Sequence, residues 1–521
     1  MNIAILHYHL KPGGVFQVIA NQMQSLKSIL EADQQCQVVI LHGQSQEQVS
    51  ELQWPESSQL HVSTQAIAGL GYDQRSESEP NVSELADRLL NALRANRFVP
   101  DNTVIHVHNH SLGKNVSLPG ALNILAREGY PLLLQIHDFV EDFRVEQYQH
   151  LRAMLGIRPH ALGQLLYPQA PHIHYAVLNE RDHRILSAGG VPAERLHVLT
   201  NPIVSPGKLP ESLSIREEME LERGIPTDAP LVIYPVRGIR RKNLGEFLLW
   251  GTLFKSRASF GTTLAPDNEA EIPSYKRWKL LAQKLDLPCH FELGDSFSFK
   301  QNLAAADAVI TTSVAEGFGM VFLESQLIGQ RLLGRDLPEI TTEFSKNGIN
   351  LDLLYQVLTI PVEVVDKDRL IESITTAYSK LVQILSGKSH NEQSARSSLD
   401  QLLKPGTIDF GILTPDLQEE VILQVHNDQE TVARILELNP VLEKGLFPQD
   451  AQAATRQAVA SNSVAIKNYY DPTSIGRKLH FIYRNLIQSP RETAVSCLDC
   501  SETILESFLS LERFRPVRSM S

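Results

Sequence analysis

The stretch LAAADAVITTSVAEGFGMVFLES, residues 303–325, changes character twice along its length. Asp307–Ser313 is an apolar run of strand length, Val314–Gly319 is a turn carrying Gly317 and Gly319, and an apolar pattern at helical spacing follows. A strand that runs through a glycine turn into a helix is the repeating unit of a parallel α/β sheet. Outward from it the same unit recurs. Upstream lie PLVIYPV (230–236), GTTLAP (261–266) and CHFELG (289–294). Before those come NIAILH (2–7), QVVILH (37–42), TVIHVH (103–108), PLLLQIH (131–137) and IHYAVL (173–178), separated by helical patterns such as 15–30 and 115–127. Continuous apolar strands alternating with helices imply sheets covered on both faces. A polar, proline-bearing stretch at 203–229 divides the two series, so the expected architecture is α/β with two doubly wound domains. Residues 341–460 lose the rhythm and read as a helical elaboration of the second domain.

With 521 residues the chain is too long for one core, and its composition of 42% hydrophobic and 21% charged residues is that of a globular protein. A net charge of −12 disfavours nucleic acid as the main partner. Four cysteines are too few for a disulfide framework, and the start MNIAILHYHLKPGG lacks a basic leader and cleavage site. No apolar run reaches the ~18 residues that span a bilayer. The expectation is a cytoplasmic protein without an integral membrane segment.

Ligands of open α/β sheets sit at the carboxyl ends of the strands, so residues just after strands carry most of the interest. KPGG (11–14) follows the first strand; Gly13 and Gly14 let a ligand approach the backbone at a helix start, or merely make the turn. His137 and Asp138 follow another strand in QIHDFVEDFR (135–144), where a histidine can hydrogen-bond a sugar hydroxyl or satisfy its own loop. HVHNH (106–110) invites a metal, but no second zinc-like cluster accompanies it. The Cys-x-x-Cys pair Cys497 and Cys500 has no thioredoxin-like context. In YPVRGIRRKNLGEF (234–247), Arg237 and Lys242 sit at a loop-to-helix junction that would suit a diphosphate, though taken alone the stretch reads as a solvated basic loop. Glu316 precedes the glycine turn, and Glu324, in the helix, is placed to accept from a ribose diol.

These residues together resemble a retaining GT-B glycosyltransferase of glycosyltransferase family 4. Arg237 and Lys242 match the family's Arg-x4-Lys pair, and Glu316 and Glu324 match its Glu-x7-Glu signature around EGFG. FELGDSFS (291–298) leads into that signature as in the family, and PGG, HVHNH, IHDF and VLTNPI stand in their usual order. The similarity spans residues 1–340 and resumes at NYYDPTSIGRKLHFIYRNL (468–486). It departs after Glu324, where SQLIGQRLLGRDLPEIT replaces an Ala/Gly-rich helix and glycine-rich loop, and in 341–460.

The resemblance implies two Rossmann-like domains facing a central cleft: an acceptor-side domain at 1–205, a linker at 206–229, a nucleotide-sugar domain at 230–488 and a helical tail at 489–521. It implies that a UDP-, GDP- or ADP-sugar donates a hexosyl group to a hydroxyl acceptor with retention of configuration, and that no metal or cofactor is required. In this scheme Arg237 and Lys242 neutralise the diphosphate, Glu316 and His137 attend the transferred sugar, and Gly13, Gly14, Gly317, Phe318, Gly319 and Glu324 bind the donor. His108, His110, Asp138 and Arg144 form the acceptor side. Without an obvious basic amphipathic helix, a small soluble acceptor is expected over a lipid; a homo-oligomer is left open. A glycoside phosphorylase, a nucleotide-sugar epimerase or a non-catalytic nucleotide-sugar sensor would use the same fold. A dinucleotide oxidoreductase is disfavoured because no G-x-G-x-x-G follows the first strand.

Overall fold

In a computed structural model the five apolar runs of the first series become strands β1 (Asn2–His7), β2 (Cys36–His42), β4 (Thr103–His108), β5 (Leu132–Ile136) and β6 (Ile173–Val177), joined by β3 (Leu60–Ala66) and β7 (Leu196–Val198). That structure describes residues 1–519 except 12, 46–48, 50–51, 74–79, 157–161, 389–392, 394, 398, 400–405, 449–451 and 499, so Pro12 of the KPGG turn lies outside the described residues. All neighbouring strands of this sheet pair in parallel, in the order β3-β2-β1-β4-β5-β6-β7. Strand β3, with its alternating buried and exposed positions, was not anticipated as a strand.

Two compact units result: one of Met1–Val204, Leu381–Ser389 and Asn468–Ser510, the other of Ser205–Lys380, His390–Lys467 and Leu511–Ser521. The expected boundary at 488 is therefore corrected, since residues 468–488 belong to the first unit. The reason is the apolar face of the helix Pro472–Gln488. Its Ile475, Leu479, Ile482, Tyr483 and Leu486 share one core with Ile3 and Ile5 of β1 and with Ile19 and Met23 of the helix Gly14–Lys27. Gly476 permits the contact, because a Cβ there would stand 2.3 Å from the Ser25 carbonyl oxygen. The expected tail at 489–521 is likewise divided. Ile504 and Leu498 pack on Gly189 and Gly190, and Phe508 lies 5.0 Å from Phe139 between ring centroids.

The second unit holds β8 (Leu231–Arg237), β9 (Ser259–Leu264), β10 (Cys289–His290), β11 (Ala308–Thr311), β12 (Arg331–Arg335) and β13 (Leu354–Tyr355), again parallel, in the order β10-β9-β8-β11-β12-β13. The expected linker is not one throughout. Ser212–Arg223 is a helix whose Ile215 and Met219, followed by Ile225, enter a core with Leu231, Ile233, Leu293 and Phe297. Arg216 fastens the following loop by donating to the carbonyls of Pro226 and Ala229, both at 2.6 Å.

The elaboration at 341–460 is built into this unit. It supplies the edge strand β13 and the antiparallel pair Thr359–Pro361 and Thr407–Asp409, besides its helices. Its deepest tie is ionic. Arg335, at the end of β12, donates to Glu246 at 2.6 Å and to Asp409 at 2.8 Å, with all three side chains nearly or fully buried. Glu246 also accepts from Tyr355 at 2.8 Å and from Asn243 at 2.9 Å, while Asp409 accepts from the backbone of Leu358 and Gly411. Burial alone would depress the Arg335 pKa, but the two carboxylates hold it well above its usual value. Deleting one member of such a cluster leaves an uncompensated buried charge. Asp409→Ala should therefore cost ~3–5 kcal/mol of stability, read by urea unfolding of the whole chain. A loss below ~1 kcal/mol would make the segment an appendage rather than part of the core.

Candidate active site

In both sheets the strand order reverses once beside the first strand of the series. In the second unit the reversal lies between β8 and β11, whose chains leave in opposite directions and open a crevice at the carboxyl ends. The loops that follow these two strands carry the two motifs singled out in the sequence. After β8, Arg240–Lys242 forms a tight 3-10 turn and Asn243, at φ 50°, leads into the helix Leu244–Leu253. Asparagine tolerates the left-handed region better than most residues. After β11 come Thr312, Ser313 and Glu316. The two loops are stitched together: Val314 N–H donates to the Arg241 carbonyl at 3.0 Å, and the Thr312 hydroxyl to the Lys242 carbonyl at 2.8 Å.

Glu316 closes the junction. One carboxylate oxygen accepts from Lys242 Nζ and from Ser313 Oγ at 2.6 Å, and the other accepts from Arg241 at 2.8 Å. Ser313 is itself held by Tyr234 of β8, oxygen to oxygen at 2.7 Å. Burial raises the pKa of a carboxyl, yet the charges of Lys242 and Arg241 more than reverse that and bring Glu316 to about 2. Lys242 is drawn down by its burial while Glu316 draws it up. The stable state of the pair is therefore carboxylate with ammonium.

The expected cations are not a single cluster. Lys242 sits on Glu316, but Arg237 turns to the Ala265 carbonyl at 3.1 Å and to Asp267. The second cation on Glu316 is Arg241, which the sequence reading passed over because RGIRRK offers four basic residues and only geometry selects among them. Glu324 lies in the helix Val321–Leu327, where burial lifts its carboxyl to about 7, and none of the described side chains is seen to donate to it. That helix begins two residues later than expected, after Gly319 at φ 79°. The ring of Phe318 is buried, 5.6 Å from that of Phe344.

In the first unit the order reverses between β1 and β4. Gly13 and Gly14 follow β1 and are exposed, Gly13 with extended backbone. A Cβ on Gly14 would meet nothing within 4 Å, so packing of the chain itself does not call for glycine there. From β4 and β5 the histidines converge: His108 Nδ1 lies 2.9 Å from His137 Nε2, and the two rings stack. His106 instead bonds Tyr483 at 2.7 Å and Gln135 at 2.9 Å, and His110 bonds the Leu166 carbonyl at 2.8 Å. Burial lowers His137 and His110 to about 4 and His106 to about 3, so these rings are neutral near pH 7. His110 thus faces a structural carbonyl rather than the group at His137. Asn109, at φ 61°, was missed by the sequence reading. Its carboxamide oxygen accepts from the backbone of His137 at 2.7 Å and of Asp138 at 3.0 Å, fixing that loop. Asp138 pairs with Arg144 at 2.7 Å. Among the described residues no group of three His, Cys, Asp or Glu side chains is placed to hold a metal ion, and Cys497 and Cys500 are free and exposed.

No family model matches the chain. Among curated proteins, the mannosylglucosyl-3-phosphoglycerate synthase of Petrotoga mobilis is 24% identical over 535 residues, covering 99% of each chain. Among solved structures, the sucrose-phosphate synthase of Thermosynechococcus elongatus aligns with a TM-score of 0.55 at 13% identity, over 93% of this chain and 98% of that one. Anabaena HepE in complex with UDP and glucose aligns with a TM-score of 0.50 at 14% identity, over 93% and 99% of the two chains. WaaG, a glycosyltransferase involved in lipopolysaccharide biosynthesis, gives 0.50 at 13% identity, over 92% and 99%. At such identities the likeness is one of fold, and the fold of this chain is the two-unit, Rossmann-like α/β class of the GT-B glycosyltransferases.

Proposed function

We propose that the protein is a retaining glycosyltransferase that moves a hexosyl group from a nucleoside-diphosphate sugar to a hydroxyl of a small soluble acceptor, without a metal ion. The observation that carries this reading is the Arg241–Lys242–Glu316 junction at the strand-order reversal of the second unit. Two cations held by one buried carboxylate form a fixed positive site, of the kind that stabilises a departing diphosphate. Arg237 stands at the end of the same strand and adds a third positive group that a phosphate can draw from Asp267. The backbone around Gly317 and Gly319 serves the phosphates. Glu324, desolvated and with no donor among the described residues, takes the ribose hydroxyls.

The curated relative is named for making a glycosylated phosphoglycerate, a small soluble product, and one fold relative was solved with UDP and glucose. Both names favour sugar transfer over the sensor reading. In the proposed reaction the acceptor oxygen bonds to the anomeric carbon as the bond from that carbon to the phosphate oxygen breaks. The acceptor proton passes to that leaving oxygen. Glu316, with both oxygens engaged by cations and Ser313, is a poor nucleophile, which favours this direct route over a covalent intermediate. His137, neutral, is the first unit's candidate for hydrogen-bonding a sugar hydroxyl.

Lys242→Ala should weaken nucleoside diphosphate binding ~10–100-fold while leaving affinity for the bare nucleoside unchanged, as measured by calorimetry. Equal loss for both ligands would remove Lys242 from the phosphate site. Glu316→Gln should lower kcat ~10²–10³-fold in a chain that still melts cooperatively, and near-normal turnover would contradict its role. Excess EDTA should leave transfer intact; complete loss restored by a divalent cation would overturn the metal-free mechanism.

A further inference from the structure

Glu324 stands on a helix of seven residues, Val321–Leu327, and so short a helix has little stability or fixed direction of its own. Its surroundings must set how far it is rolled about its axis. Phe322 and Leu323 are fully buried and hold the helix down, but apolar contact is non-directional and leaves the roll loosely defined. Ser325 bonds only within the helix, to the Val321 carbonyl at 2.8 Å. Gln326 is different. Two residues on from Glu324, it lies about 200° around the helix, on the face opposite the carboxylate. Its side chain is buried, and its oxygen accepts from Asn462 Nδ2 at 3.1 Å.

Asn462 belongs to the helix Gln452–Tyr469, 136 residues further along the chain and within the same unit. Its Oδ1 accepts from the Asn350 N–H at 2.7 Å, and its Nδ2 donates to the Asn350 carbonyl at 2.8 Å. One carboxamide thus pairs both main-chain groups of one residue, which fixes its orientation. The nitrogen must face the carbonyl, and its second hydrogen is the one that meets Gln326. Asn462 is 1% exposed with both polar atoms of its side chain engaged. Such a buried, satisfied group is directional where the apolar contacts are not, and costly to disturb. Beyond the helix Gln330 adds a second anchor, donating to the carbonyls of Leu303 at 3.2 Å and Ala306 at 2.8 Å.

We infer that Asn462 is a positioning residue for Glu324: through Gln326 it sets the roll of the helix Val321–Leu327 and so aims the carboxylate. The inference rests on the proposed ribose role of Glu324 for its functional meaning, and on the hydrogen bonds alone for the positioning.

The test compares the full chain with its Asn462→Ala and Gln326→Leu variants. Each is titrated calorimetrically with UDP, GDP and ADP and with their 2′,3′-dideoxy counterparts, and hydrogen–deuterium exchange is followed without nucleotide. The unaltered chain should prefer the ribonucleotide ~10-fold or more, and Asn462→Ala should cut that preference to ~3-fold or less while the dideoxy affinity stays within ~2-fold. Gln326→Leu, which keeps the side chain's bulk and the pairing of Asn462 with Asn350, should do the same. Peptides covering 320–328 should exchange faster in both variants. An undiminished preference, or equal weakening of both nucleotides, would overturn the inference, and if Asn462→Ala fails to fold, Gln326→Leu decides alone. An unaltered chain that binds both nucleotides alike, or neither, would count instead against the donor reading. Exchange of 320–328 in Gln326→Leu then decides the positioning by itself: faster exchange upholds it, and unchanged exchange overturns it.

Discussion

A carboxylate as buried as Glu316 is ionised only if cations accompany it, and this requirement organises the second unit. Lys242 and Arg241 supply the charge, so the turn that carries them must lie against the loop that carries Glu316. Backbone and hydroxyl bonds from Val314 and Thr312 hold the turn there. One residue further, Asn243 begins the helix Leu244–Leu253 and donates to Glu246, the centre of a second buried charge cluster with Arg335 and Asp409. The two clusters stand on either side of one short turn. A cation on such a platform is preorganised: it needs little reorientation when a phosphate arrives.

The location of the platform follows from topology. Both sheets reverse strand order beside the first strand of their series, and the loops leaving there cannot cover the crevice between them. In the second unit the crevice is lined by cations on a buried acid. In the first it is lined by neutral histidines and two glycines. The same parallel topology thus presents different chemistry in the two units.

Much of this was legible in the sequence where apolar runs were long and glycines marked the turns. The strands around Ile5, Ile105, Ile233 and Ile310 could be placed, as could Lys242, Glu316 and Glu324, because each stands just after a strand or in the helix that follows one. Strand β12 was not, since RLLGR is bounded by arginines, and the carboxylate partners of Arg335 are 89 and 74 residues distant in sequence. Arg241 was hidden among neighbouring basic residues for the same reason: its partner, Glu316, is 75 residues away. The helix Pro472–Gln488 carried a clear apolar face, but no local feature says which core that face will meet. Asn109 has only a positive φ to mark it, and that does not exist before the chain folds.

The central claim is that a nucleoside diphosphate sugar binds at the strand-order reversal of the second unit. Hydrogen–deuterium exchange of the full chain, with and without saturating UDP-, GDP- or ADP-sugar, tests it directly. The account predicts slowed exchange in peptides covering 237–243 and 313–325 with the sugar nucleotide that binds. Unchanged exchange in both segments under every donor, or protection confined to other parts of the second unit, would contradict it.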